Sequence, residues 1–244
     1  MTDRFVATSA APGADVDGLG GEGAPEAVSY HPATAGAWTA RSPSGGGVAS
    51  VSGGELVLVQ PAAPVVGDPY RASLLRTLDP DVAEDEDFEI ILRIASFALD
   101  SGTLFTVHIS ARADGGTAGR ELRVRVNQSG GVGIGYLQNG TSWHDAGTVG
   151  TVGTVAIDGT GWLRVRVRER RRWADVSTGA GASQPTSWTR RVLASWDQDF
   201  SGGSWGTTAP PEPWAYWGFA LTAYGSTAGT GAHIDHASIR RLLP

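Results

Sequence analysis

The sequence predicts an all-β protein built as two antiparallel sheets packed face to face. Three observations carry that expectation. Two segments alternate apolar residues with arginine, Glu121-Leu122-Arg123-Val124-Arg125-Val126-Asn127 and Trp162-Leu163-Arg164-Val165-Arg166-Val167-Arg168. A period of two turns one face of a strand to the core and the other away from it, whereas a helix would scatter the same residues around its circumference. The 35 glycines and 13 prolines fall between short apolar runs, and turn residues at that spacing mark a sandwich or barrel. No segment combines a helical period with capping residues, and no internal repeat is present.

The elements follow in order. Residues 1–47 are rich in Gly, Ala, Pro and Ser. Asp3-Arg4-Phe5-Val6 supplies a first strand, and the polar stretch after it reads as an arm that a partner orders, because ordering it alone costs roughly 1–2 kcal/mol per residue. The sandwich proper is expected over 48–244. Val48-Ala49-Ser50-Val51, Gly53-Gly54 and Glu55 to Val59 form a hairpin signature. Tyr70 to Leu78 is a further strand, and Phe88 to Ile94 puts Phe88, Ile90, Leu92 and Ile94 on one face. Leu104 to Ser110, Val132 to Leu137, Thr148 to Ile157, Arg172 to Val176, Thr189 to Trp196, Trp214 to Tyr224 and His233 to Leu242 complete the strand set. Leu122, Val124, Val126, Leu163, Val165 and Val167 are expected to face inward.

At 244 residues, 41% apolar and 18% charged, the chain can bury a sizeable core as one domain. The net charge of −6 argues against nucleic acid as a partner, since phosphates call for a basic field. Cysteine is absent, which excludes disulfides, thiolate nucleophiles and cysteine-ligated zinc. All 19 basic residues are arginine, a bias typical of a GC-rich coding genome. The first residues lack the basic and apolar regions of a signal peptide, and no apolar run reaches 18 residues, so no membrane span is expected.

Candidate functional residues are of five kinds. Aromatic rings pack on the C–H faces of sugars while polar neighbours take the hydroxyls. Trp143, Trp188, Trp196, Trp205, Trp214 and Tyr216 lie in or beside loops and form the candidate carbohydrate-binding set, whereas Trp38 and Trp162 read as core. Many of the nine tryptophans would equally suit a large core or a subunit interface. Among the carboxylates, Asp85 and Asp87 would share a face with Glu89, but they lack the flanking pattern of a glycosidase pair, which needs two carboxyls about 5–5.5 Å apart. They read as an acidic solvated loop entering a strand, and no catalytic residue is assigned.

Arg123 and Arg125, and Arg164, Arg166 and Arg168, read as wet sheet faces. Two arginine columns directly opposite would repel, so interleaved acids or a different pairing is expected. His233 and His236, three apart in a strand, are expected on opposite faces, unable to chelate one metal. The glycine pairs at 115–116 and 130–131 read as hairpin turns rather than phosphate loops.

Several motifs in order resemble a concanavalin A-like lectin/glucanase jelly-roll domain: Asp3-x-Phe5, Trp38, the hairpin Val51 to Leu56, Gly161 to Val167, Trp217-Gly218-Phe219-Ala220-Leu221, and Ile234-Asp235-His236-Ala237-Ser238-Ile239. The resemblance covers nearly the whole chain. Within that superfamily the chain looks like modules of actinobacterial phage tail and other virion proteins. What the resemblance implies is a non-enzymatic virion or attachment protein whose partners are other virion proteins or copies of itself, with host cell-wall polysaccharide as a ligand. It also implies that Asp3 and Asp235 would suit a structural calcium if first and last strands pair; no other cofactor is expected. The alternatives are a laminarinase-like glycoside hydrolase and a free carbohydrate-binding module.

Overall fold

The computed structural model describes residues 6–7, 26–29, 38–41, 48–52, 55–59, 72–78, 86–111, 121–138, 142–168, 173–195, 214–223 and 231–242. These residues form strands and turns and no helix. Sheet I runs β1 (Val6–Ala7), β2 (Glu26–Ser29), β16 (Gly231–Leu242), β7 (Asp87–Ala98), β12 (Gly161–Arg168), β13 (Trp173–Ala180) and β14 (Thr189–Ser195). The hairpin β4 (Val48–Ser52) and β5 (Glu55–Val59) joins it through a β5–β16 pairing. Sheet II runs β11 (Ser142–Gly147), β10 (Val132–Gln138), β9 (Glu121–Val126), β8 (Thr103–Ser110), β15 (Tyr216–Ala223), β6 (Ala72–Thr77) and β3 (Thr39–Arg41). Every pairing is antiparallel.

The core lies between the sheets, as the alternation requires. Leu163, Val165 and Val167 of β12 meet Phe88, Ile90, Leu92 and Ile94 of β7 on the inner face of sheet I. Leu122, Val124 and Val126 of β9, with Phe105, Val107 and Ile109 of β8, supply the inner face of sheet II. All six residues expected to face inward are at most 1% exposed. Trp38, Trp217 and Phe219 add an aromatic cluster, the two indoles meeting edge to face with centroids 5.1 Å apart. That geometry sets the positive rim of one ring against the negative face of the other.

Several expectations need correction. Thr148 to Ile157 is turns with a single bridge, Gly131 to Thr154, and the strand in this region is β11 at Ser142–Gly147 instead. The apolar residues there are separated by Gly150 and Gly153, both at positive φ, which break a ladder. Trp162 is buried, but on the outer face of sheet I: its indole donates to the Gly181 carbonyl and packs beside His236. His233 and His236 take register positions on the same face, opposite Ser96 and Arg93, because bulges at Ala95 and Asp235 shift the pairing.

The arginine faces are not wet. Arg166 and Arg168 are 1% exposed and Arg123 is 9% exposed. The two arginine strands also belong to different sheets, and acids do interleave them: Arg166 lies between Glu89 of β7 and Asp175 of β13. Three strands ahead of Val48 belong to the sheets, with β2 pairing β16 and β3 pairing β6. The remainder of the expected arm, including Asp3, lies outside the described residues.

Candidate functional site

Both sheets bury polar groups on their outer faces, and sheet II gathers the more varied chemistry. Inward positions of β8 and β9 are apolar, so their alternates, Thr106, His108 and Ser110, and Glu121, Arg123 and Arg125, point the other way. The register lines these up in rows. One row runs Gly218, His108, Arg123, Gly135, Asp145 across β15, β8, β9, β10 and β11. The next runs Tyr216, Ser110, Glu121, Leu137, Trp143. Glycine occupies the row positions on either side of the His108 and Arg123 pair, at 218 and 135.

Glu121 organises the row. Its Oε1 accepts from His108 Nδ1 at 3.0 Å and from Arg123 Nε at 2.8 Å, and its Oε2 accepts from Arg123 Nη2 at 2.7 Å. Burial favours the neutral acid, but the hydrogen bonds and charges of His108 and Arg123 outweigh it and hold the carboxyl at about 2. Glu121 is therefore an anion at any ordinary pH, a brace rather than a proton donor. Next to it Arg125 pairs with Asp145. Exposure rises outward, from 1% for the His108 and Glu121 side chains to 13% for Arg125 and 36% for Asp145. A ligand would meet Arg125, Asp145 and half-buried Tyr216 first.

The outer face of sheet I is a structural network. Arg166 pairs with Asp175, Arg168 with Asp87, and Arg240 with Glu89 and with the side-chain oxygen of Gln184. Trp173 lies 5.9 Å from each of the Arg166 and Arg168 guanidiniums. Asp87 and Glu89 do share a face, but they are 4% and 5% exposed and each faces an arginine, so they are not the solvated loop acids the sequence suggested. Asp85 lies outside the described residues.

The aromatic set does not gather into one platform. Tyr216 sits on the outer face of sheet II. Trp143 holds a register position in β11 opposite Leu137 on the same sheet. Trp188 lies at sheet I, its ring 4.9 Å from the Arg164 guanidinium. Trp214 is 3% exposed and part of the core. Trp196 and Trp205 lie outside the described residues.

Asp235 does not fit a calcium site. Both its oxygens accept from Arg93, Nε to Oδ1 at 2.8 Å and Nη2 to Oδ2. The condition for that site also fails, since β1 pairs with β2 while β16 pairs with β2, β5 and β7. Among the described residues no three His, Asp or Glu side chains converge on a common point.

His108, Glu121 and Tyr216 are the grouping that sequence reasoning missed as a unit. His108 was a lone polar residue alternating with Phe105, Val107 and Ile109, and that alternation was the available signal of its outward position. The gap of 13 residues to Glu121 carries no motif.

No protein-family model and no curated protein matches the sequence. Solved structures do match. The alginate lyase A1-II′ of polysaccharide lyase family 7 superposes with a TM-score of 0.53 at 16% identity, over 77% of this chain and 80% of that one. The exoplasmic/lumenal domain of VIP36, in a form bound to Ca²⁺ and Man3GlcNAc, gives 0.50 at 13% identity, over 88% of each chain. A prokaryotic β-1,3-1,4-glucanase (lichenase) from a mouse hindgut metagenome gives 0.50 at 12% identity, over 83% of this chain and 92% of that one. The chain spans about a third, 34%, of a xylan β-1,4-xylosidase from Bacillus halodurans. With the two antiparallel sheets and their inner-face packing, these likenesses identify the fold as the concanavalin A-like jelly roll.

Proposed function

We propose that this protein is a non-enzymatic, lectin-like module that binds a glycan on the outer face of sheet II. The observation that carries the reading is the hydrogen-bonded cluster of His108, Glu121 and Arg123, with the more exposed Arg125, Asp145 and Tyr216 at its rim. Arg125 and Asp145, already paired with each other at the accessible rim, lose little freedom when a sugar's hydroxyls replace water, which is how a rigid polar site gains affinity. The lectin and glycan-active neighbours of the same fold support a carbohydrate ligand. We assign the module to a phage virion, in the tail or on the particle surface, with other virion proteins or its own copies as partners and host cell-wall polysaccharide as ligand. The arginine-only basic composition and the resemblance to actinobacterial phage modules support that assignment.

Against hydrolysis of the laminarinase type stands the state of the carboxylates. Glu121 holds no proton near neutrality to donate to a leaving group, and Asp145, Asp87 and Glu89 each face an arginine. A second reading rests on His108 alone. Glu121 fixes the imidazole through Nδ1, with Arg123 beside it and Tyr216 on the next strand. That set has the residue types for proton abstraction next to a carboxylate, and it would act as a lyase only with a substrate that uncovers the imidazole, which is 1% exposed.

One experiment separates the readings. The full chain is screened on immobilised cell-wall polysaccharides, and the same polysaccharides are assayed for unsaturated product by ultraviolet absorbance. The expected result is retention without product, with Arg125→Gln and Tyr216→Phe each weakening retention about tenfold. Product that disappears in His108→Asn would replace the binding reading with the lyase. No retention by any polysaccharide, or retention indifferent to both substitutions, would remove it.

A further inference from the structure

A cleft of about 460 Å³ opens at the edge of the sandwich, between β13, β14 and the turns at 127–131 and 151–157. It lies on different strands from the row on sheet II. Its polar lining is Ser129, Thr154, Thr178, Thr189 and Arg191, and no carboxylate lines it. A bulge aims the arginine. Val176 pairs with Val192 and Ser177 with Arg190, so Arg191 is the extra residue of β14. Bulges of this kind redirect a side chain out of the regular alternation.

Two contacts hold the guanidinium in place. Arg191 Nε donates to Thr178 Oγ1 at 2.7 Å. Gly153, at a φ of 139°, lies flat against the arginine stem, and a Cβ there would stand 2.6 Å from Arg191 Cδ. Any side chain at 153 would fill the space the arginine occupies. Among the described residues Arg191 makes no ion pair, and its hydrogen bond to them runs through Nε rather than the terminal amino groups. Arg123, Arg166 and Arg168, which are also held in place on the sheet faces, each face a carboxylate.

From this arrangement we infer that the cleft is a second binding site, and that its ligand is an anionic sugar, one bearing a carboxylate or sulfate. The fixed guanidinium takes the anion through its two terminal nitrogens, as planar guanidinium forks do. The hydroxyls of Thr154, Thr178, Thr189 and Ser129 take the sugar's hydroxyls. The volume lies within the roughly 300–1,000 Å³ of small-ligand sites. The inference does not rest on the sheet II reading, since it uses none of the same residues.

The test is a titration of the isotope-labelled full chain, followed by backbone and arginine Nε resonances, with glucuronate, glucose and inorganic sulfate as probes. Glucuronate is expected to shift Gly153, Thr178, Ala180 and the Arg191 Nε signal saturably in the millimolar range, with glucose producing no saturable shift. Arg191→Gln should weaken glucuronate about tenfold or more, and Thr178→Val by a smaller factor, both variants retaining dispersed spectra. If either variant fails to fold, the other carries the comparison, and the wild-type contrast between glucuronate and glucose stands alone. Equal binding of glucose, affinity for sulfate equal to that for glucuronate, or shifts unchanged in Arg191→Gln would overturn the proposal. Binding at Gly153 that survives Arg125→Gln and Tyr216→Phe would separate this site from the sheet II face.

Discussion

Arg166 and Asp175 are directly opposed on β12 and β13, and both the Nε and Nη2 groups of the arginine donate to the same carboxylate oxygen, at 2.8 and 2.7 Å. Neither side chain is more than 2% exposed. Removing one partner leaves a buried, uncompensated charge, which costs about 3–5 kcal/mol, whereas a well-packed apolar pair is often neutral. Asp175→Ala is therefore expected to lower the unfolding free energy by that amount in urea titrations. Arg166→Met with Asp175→Leu should cost much less than the two single changes summed.

The carboxyl of Glu121 sits at about 2 against an ordinary 4.5. Its folded value is depressed, so its contribution is present above pH 4.5 and is lost as pH falls toward 2. The full contribution is on the order of 3 kcal/mol. Denaturant unfolding followed between pH 6 and about pH 2 should show a decline over that window. Glu121→Gln should be less stable at neutral pH and flatter across the same range.

Gly161 opens β12 where the Ala156 carbonyl approaches it, and a Cβ built there would stand 1.8 Å from that oxygen. The obstacle is backbone on both sides, so rotamer change cannot relieve it. Gly161→Ala is expected to cost roughly 1–3 kcal/mol, toward the upper end, read as a lowered Tm by calorimetry.

Trp188 packs against the Arg164 guanidinium, an interaction worth about 0.5–1 kcal/mol at a partly exposed site. Trp188→Ala should lose about that much stability while leaving glycan retention unchanged. Retention lost with intact folding would restore Trp188 to the sugar-binding surface.

Since Arg93 occupies both oxygens of Asp235, calcium and chelator are expected to leave the Tm unchanged. A calcium-dependent rise that Asp235→Asn abolishes would contradict that pairing.

Local pattern determined the sheet faces. The alternation in 121–127 and 162–168 named inward residues correctly because a strand's period of two is set by its own backbone. The Gly53-Gly54 hairpin was legible for the same reason, and β4 and β5 pair around it. The resemblance carried by motifs along the chain pointed to the jelly roll that the structure adopts.

What lies over each outer face was not legible. Arg166 and Arg168 looked wet because alternation specifies only which side a residue faces, while burial depends on what packs there. The same limit hid the candidate site. His108 and Glu121 come together through the β8–β9 register, and Tyr216 joins them from β15, 95 residues after Glu121. Bulges at Asp235 and in β14 turned His236 and Arg191 where strict alternation would not have put them. Sequence alone determined the strand faces and the fold class, since those follow from each segment's own chemistry. Tertiary structure alone decided the charge pairs, the braced histidine and the cleft arginine, because strand register joins residues that are distant in sequence and a single extra residue redirects a side chain.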